Sequence, residues 1–291
     1  MALNISEIIF IINPHSGRKK PAMIMKKLNS INPNFNIFVS DSIDAFHDFM
    51  VENIDKYKYF VVAGGDGAIN LTANYLFQKD DKILGIIPIG SGNGFARETG
   101  FMTSLEKLIK QLEIGEYFEA DVLEINDKKF INMAGLGFDA WVAHRFAQRK
   151  SRGLKNYVIA TIISLIEFKQ EKVYIKIGEK EYSSDYNMVV MANTRQFGNN
   201  ACIAPHAYPS SGMVDLVMIK KIPFYYYPVV IINMFLGRIK PSKYIEYISS
   251  NENIEIETNY DKFHIDGEPV YIKEPVNLKV YKGSLNVLNM P

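Results

Sequence analysis

Cysteine is nearly absent. The one that occurs, Cys202, excludes an internal disulfide, suits a reducing compartment and is expected to serve as a small apolar filler. Charge excess of either sign is missing too. Against 33 Lys and Arg stand 32 Asp and Glu, a formal +1 over 291 residues, so no global field draws the chain to nucleic acid or anionic lipid. Any such attraction must be local. Long apolar runs are also lacking: the nearest, Ile222 to Leu236, contains Pro223 and Pro228 and falls short of the about 18 uninterrupted residues of a membrane span. The run Ile8 to Ile12 is too short for a secretory signal, follows no basic segment and ends in Asn-Pro, so it reads as a first strand. Repeats, low-complexity tracts and long linkers do not occur. What remains is a globular chain long enough for two modest domains.

The first third alternates apolar runs with amphipathic stretches, the pattern of a parallel sheet covered by helices. Strands are expected at Ile8 to Ile12, Ile37 to Val39, Tyr59 to Ala63 and Ile83 to Ile89. Helices are expected at Pro21 to Leu28, Ile43 to Asn53, Ala68 to Phe77 and Leu105 to Leu112. This predicts a doubly wound α/β domain over residues 1–121. From about 122 to 291 the texture changes to short β-branched and aromatic segments joined by turns such as Asn126-Asp127 and Lys282-Gly283, predicting an antiparallel β-sandwich. Its expected strands include Phe130 to Ala134, Asn187 to Ala192, Lys262 to Ile265, Val276 to Tyr281 and Ser284 to Leu288, the last returning to the first domain. Two helical candidates interrupt it, Phe138 to Phe168 and Pro228 to Phe235.

Two glycine turns carry the chemistry. Val61-Val62-Ala63 runs into Gly64-Gly65-Asp66-Gly67, and Ile86-Ile87-Pro88-Ile89 runs into Gly90-Ser91-Gly92-Asn93-Gly94. Glycine lets a chain take positive φ or lie flat against a ligand, and bare amides form a concavity for anions such as phosphate. Sharp turns in an α/β sheet would look the same. Asp66 tips the balance, since an acid beside a phosphate is unfavourable unless it holds Mg²⁺ or orients a partner.

Further segments complete an ordered set: Asn13-Pro14-His15-Ser16-Gly17, Asn132-Met133-Ala134-Gly135-Leu136-Gly137-Phe138-Asp139, Ala192-Asn193 through Ala204-Pro205, and Asp266-Gly267-Glu268-Pro269. Nearly the whole chain thereby resembles the diacylglycerol kinase catalytic family, lipid kinases that include bacterial diacylglycerol kinases, related phospholipid kinases and sphingosine kinases. The resemblance implies a Rossmann-like N-terminal domain, a C-terminal β-sandwich, ATP and Mg²⁺ as cofactors, and a lipid hydroxyl as phosphate acceptor. It implies that Asn13, Ser16, Gly17, Gly64, Gly65, Gly67, Gly90, Ser91, Gly92 and Asn93 serve the nucleotide. Arg18 would steady the GGDG aspartate, and Arg97 would either meet phosphate or cap a helix with Glu98. Asp266 would be the general base and Glu268 its neighbour and a metal ligand, while Asp66 would hold a metal or an ordered water. Asp215 alone survives of the acids that help bind a structural Mg²⁺ in bacterial members. His264 reads as a packed strand residue.

Three departures bear on activity: Ala68 stands where Thr is usual, Leu71 where Glu is usual and Gly94 where Asp is often found. They leave open which lipid is used. They also leave two alternatives: a soluble-substrate kinase of the NAD kinase type, and a non-catalytic nucleotide- or lipid-binding protein. A lipid kinase must reach a bilayer. Ile222 to Leu236, flanked by Lys220, Lys221, Arg238, Lys240 and Lys243, is either an interfacial contact or an internal helix under the sandwich. Ala143 to Arg152, with His144, Arg145, Arg149, Lys150 and Arg152, either meets anionic headgroups or is a solvated helix face. A cytoplasmic protein with transient, peripheral membrane contact is expected. Members of the family can dimerise, and no stretch here announces an interface.

Overall fold

The computed structural model describes residues 4–17, 20–148, 161, 164 and 167–291. The chain forms two units, Met1–Ala120 with Gly283–Pro291, and Asp121–Lys282. In the first, apolar runs become parallel strands β1 (Ile8–Ile12), β2 (Asn36–Val39), β3 (Tyr59–Gly64) and β4 (Ile83–Pro88). Their order is β2-β1-β3-β4. Every residue of β1 and β3 is buried, as in a sheet covered on both faces. The covering helices are α1 (Lys20–Ile31), α2 (Ile43–Asn53), α3 (Asp66–Leu76), the short α4 (Gly94–Glu98) and α5 (Leu105–Ile114). Ser42 and Ser104 cap α2 and α5, each hydroxyl accepting an N–H three residues on. The expected helix Ala68 to Phe77 begins earlier, at Asp66.

The second unit is antiparallel. It holds β5 (Tyr117–Ile125), which starts in the first unit, then β6 (Lys128–Phe130), β7 (Met133–Gly137), β8 (Glu171–Ile177) and β9 (Lys180–Ala192). Then come β10 (Val214–Lys220), β11 (Ile245–Ser250), β12 (Ile254–Thr258), β13 (Lys262–Ile265), β14 (Glu268–Tyr271) and β15 (Val276–Leu288). The long β9 organises it: its first half pairs with β8 and its second half with β7 and β10. A core of Leu123, Phe130, Leu136, Tyr186, Met191, Leu216 and Phe263 fills the interior. Val276 to Leu288, expected as two strands, is one, and its Val287 pairs in parallel with Leu84 of β4. Phe130 to Ala134, expected as one strand, is split into β6 and β7.

Between β6 and β8 the described helix is α6 (Phe138–Ala147); Arg149, Lys150, Arg152 and the remainder of that expected helix up to 160 lie outside the described residues. Between β10 and β11 lies α7 (Tyr227–Phe235), none of whose residues is buried. One side of it, with Tyr227, Val230 and Met234, packs partly against the core, and the other is exposed. No helix among the described residues is long and apolar enough to cross a membrane.

Candidate functional site

Three loops meet at the carboxyl ends of β1, β3 and β4, where open parallel sheets bind ligands. Their closeness is written in the glycines. A methyl group on Gly90 would lie 2.6 Å from Gly65 Cα, and one on Gly17, whose φ is +65°, would lie 2.3 Å from the Ile89 carbonyl oxygen. Only hydrogen fits where these backbones pass. Ala68 also finds a reason: its Cβ would sit 2.6 Å from a methyl on Gly64, so the residue after GGDG is tucked beneath the end of β3.

Asp66 clamps the two glycine turns together. Its Oδ2 accepts the Asn93 N–H at 2.9 Å and its Oδ1 accepts the Gly94 N–H at 2.8 Å, placing a carboxylate at the amino end of α4. The Gly94 amide thus serves as a donor to an acid. Asn93 takes a left-handed conformation, φ +53°, with its Nδ2 donating to the Gly90 carbonyl at 3.0 Å. Its Oδ1 is buried without a partner, a vacant acceptor suited to a ligand hydroxyl or amine. Arg97 donates from Nε to the Gly92 carbonyl at 3.1 Å, so the guanidinium is held across the turn. Asn13 orders its own loop by accepting the His15 N–H at 2.9 Å, and Ser16 N donates to the Asn13 carbonyl. Ser91 is exposed, and Arg18 lies outside the described residues.

Helix α3 starts with Gly65 at its N-cap and has no side-chain cap. Its first-turn amides, Gly67 among them, have no intrahelical acceptor and carry the positive end of the helix dipole. Such an end is an anion site. The donor set, bare amides with a nearby guanidinium and a buried orphan acceptor, fits a phosphate-bearing nucleotide.

In the second unit Asp266 and Gly267 form the two-residue turn between β13 and β14, both at positive φ, +48° and +84°. The backbone is that of an ordinary hairpin turn, but the Asp266 side chain is buried. Asp266 is only 6% exposed, and its carboxylate accepts N–H groups from Ile131 (3.2 Å), Asn132 (3.0 Å) and Met133 (2.9 Å). Three amides stabilise negative charge on it and fix its direction. They also explain the split of the expected strand: these residues turn their amides to the carboxylate. Glu268 opens β14 and is exposed.

Sequence reading missed the polar partners beneath this turn. His264 is indeed a packed strand residue, 3% exposed, but its Nε2 lies 2.9 Å from Asp139 Oδ2 and its Nδ1 is buried without a partner. Asp139 stands in the quoted Gly-Phe-Asp segment, so the signal was present without its meaning. Asn193 donates from Nδ2 to the carbonyls of Asp121 and Ile131, at 2.9 and 2.7 Å. Asp121 Oδ2 in turn accepts the Gly212 N–H at 2.6 Å. Asp215 accepts hydroxyl donors from Tyr247, at 2.8 Å, and from Ser249. Burial, followed by the Asp215 charge, pushes the Tyr247 phenol well above its ordinary value.

No group of three or more His, Cys, Asp or Glu among the described residues could hold a metal unaided. Mg²⁺ needs only one or two carboxylates when phosphates and waters complete its shell. Asp66 in the first unit and the exposed Glu268 in the second are each single carboxylates of that kind, while the Asp215 oxygens serve two hydroxyls.

Known proteins resemble this chain over both units. A model described as "Diacylglycerol kinase catalytic domain" matches residues 7–125, and one described as "YegS C-terminal NAD kinase beta sandwich-like domain" matches residues 132–289. A "Probable lipid kinase YegS-like" from Shewanella frigidimarina is 26% identical over 190 residues, covering 63% of this chain and 62% of that protein, less than two thirds of its length. A "Probable lipid kinase YegS" from Escherichia fergusonii is 26% identical over 219 residues, 72% of this chain and 71% of the relative. Among solved structures, a diacylglycerol kinase from Bacillus anthracis superposes with a TM-score of 0.75 at 18% identity, covering 98% of this chain and 97% of that one. Yeast NADH kinase complexed with NADH gives 0.55 at 12%, covering 96% and 81%. At these identities the structures speak for the fold alone. The chain belongs to the lipid kinase family that joins a diacylglycerol kinase catalytic domain to a YegS-type, NAD kinase-like β-sandwich domain.

Proposed function

We propose that the chain is an ATP-dependent lipid kinase transferring the γ-phosphate to a hydroxyl of diacylglycerol or a related lipid, working in the cytoplasm with transient contact to a membrane. The observation that carries this reading is the uncapped amino end of α3 packed against the second glycine turn. Amides of the first turn would bind phosphate oxygens, and Arg97, already anchored on Gly92, would offer its remaining donors to the same charge. Asn13, Ser16, Gly17, Gly64, Gly65, Gly67, Gly90, Ser91 and Gly92 would shape the nucleotide loops, and Asn93 Oδ1 would accept from a nucleotide hydroxyl or amine. Mg²⁺, when bound, would supply charge neutralisation to the phosphates; Asp66 of the first unit and Glu268 of the second are each a candidate carboxylate ligand. Asp266 would accept the proton of the acceptor hydroxyl, its three amide bonds holding the carboxylate still while that proton moves.

The test incubates purified protein with labelled ATP and Mg²⁺ and separate micelles of diacylglycerol, monoacylglycerol, phosphatidylglycerol, sphingosine and ceramide, with NAD as the soluble control. Label in one lipid product is expected. Label in NAD would favour the soluble-substrate kinase, and label nowhere despite ATP binding would favour a non-catalytic binding protein. Asp266→Asn should bind ATP and lose turnover; an unchanged rate would reject its role as base.

A further inference from the structure

Residues 220–244 form an excursion between two paired strands, leaving β10 at Lys220 and rejoining the sheet at β11, where Ile219 faces Ile245. Ile222 and Ile239 are buried at its base, and Tyr226, Tyr227, Val230 and Met234 pack partly on the underlying core. The outer side is different. Tyr225 is 77% exposed, Ile232 57%, Phe235 54% and Leu236 55%, with Val229 and Ile231 also open to solvent. So many large apolar groups turned outward on one helix mark a surface that is covered in use.

The charges around it identify the cover. No Asp or Glu occurs between Asp215 and Glu246, whereas Lys220, Lys221, Arg238, Lys240 and Lys243 fall within that interval. Lys220 pairs with Glu246, while Lys221, Arg238, Lys240 and Lys243 are exposed on both flanks of an uncharged helix. At nine residues α7 is about 14 Å long, too short to span a bilayer and suited to lie in its interface. Three consecutive tyrosines, Tyr225 to Tyr227, lead into it, the residue type that seeks the headgroup level.

We infer that α7 and its basic flanks are the surface by which this protein docks on anionic bilayers, the helix immersed at the acyl boundary and the lysines and arginine among the headgroups. The inference draws its purpose from the proposed lipid acceptor, but docking is measurable without turnover. The experiment is vesicle co-sedimentation of the full chain without ATP, using phosphatidylcholine alone and phosphatidylcholine with about one third phosphatidylglycerol, at low and high salt. Binding to the anionic vesicles at low salt is expected. Ile232→Glu with Phe235→Glu should weaken it tenfold or more, and Arg238→Gln with Lys240→Gln should cost about fivefold per charge and flatten the salt dependence. Phe235→Trp should gain a vesicle-induced blue shift absent from the parent, whose one tryptophan is Trp141. Because the altered side chains face outward, all variants should keep the far-ultraviolet circular dichroism and thermal midpoint of the parent. Absence of binding by the parent, or binding that neither pair of substitutions reduces, overturns the inference. So does a dimer that the Ile232 and Phe235 changes dissociate while vesicle binding persists, since the face would then belong to a second copy. Failure of the lipid phosphorylation assay with vesicle binding intact would sink only the proposed activity.

Discussion

Gly90→Ala sets one methyl group against two fixed neighbours, Gly65 Cα at 2.6 Å and Asn93 Oδ1 at 2.8 Å. The first is backbone and the second ends a side chain anchored by its Nδ2 on the Gly90 carbonyl, so relief requires the two glycine turns to part. Parting them pulls Asn93 and Gly94 away from Asp66, whose bonds to their amides measure 2.9 and 2.8 Å. Overpacking alone costs about 1–3 kcal/mol, and each charge-assisted bond weakened adds up to about 1.5–3 kcal/mol. The reciprocal change is milder: a methyl on Gly65 meets Gly90 Cα at 3.3 Å, which a few tenths of an ångström relieve. Gly90→Ala should therefore lower the stability of the first unit by at least about 2 kcal/mol and weaken nucleotide binding tenfold or more, with Gly65→Ala costing under about 1 kcal/mol. Denaturant unfolding compares the three proteins, and titration with a fluorescent ATP analogue reads binding. Equal stability and affinity in Gly90→Ala and the parent would refute the packing of the turns.

Asp66→Asn keeps the shape but turns an N–H toward one of the two amides it faces, so thermal unfolding without nucleotide should show a loss of about 1–3 kcal/mol. Gly135→Ala would put a methyl 2.1 Å from Asp139 Oδ2 and 2.7 Å from His264 Nε2, and limited proteolysis should find the second unit cleaved faster. Alkaline stability follows the tyrosines. Burial pushes the Tyr260 phenol from 10.0 up to about 12, so folding favours its neutral form; that contribution is whole below pH 10.0 and is lost as pH rises toward about 12. Denaturant midpoints taken across this window should fall, and Tyr260→Phe should flatten the fall.

Most of the α/β unit was legible because its strands are continuous apolar runs and its helices have clean periodicity; β1 and α2 have the expected bounds. The errors have physical causes. β11 was overlooked because Glu246, Tyr247 and Ile248 are half-exposed and mixed in polarity, and β14 because Pro269 sits inside it. Lys282-Gly283 read as a turn and is instead continuous strand in β15. The gap between β6 and β7 depends on Asp266, more than a hundred residues away, and no local pattern announces it. The candidate residues were found by motif, but the contact of Gly90 with Gly65 and the pairing of His264 with Asp139 needed the third dimension.

The return of residues 283–291 to the first unit has a consequence for biosynthesis. Val287 occupies the flank of β4, Ser284 accepts the Gln78 N–H, Asn286 donates to the Asp80 carbonyl and Asn289 N donates to Glu116. A nascent chain therefore carries an unpaired strand margin at β4 throughout translation of the whole second unit, a template for association with neighbouring polypeptides. Ribosome-bound intermediates of this protein should be chaperone clients until those nine residues emerge and the margin is sealed.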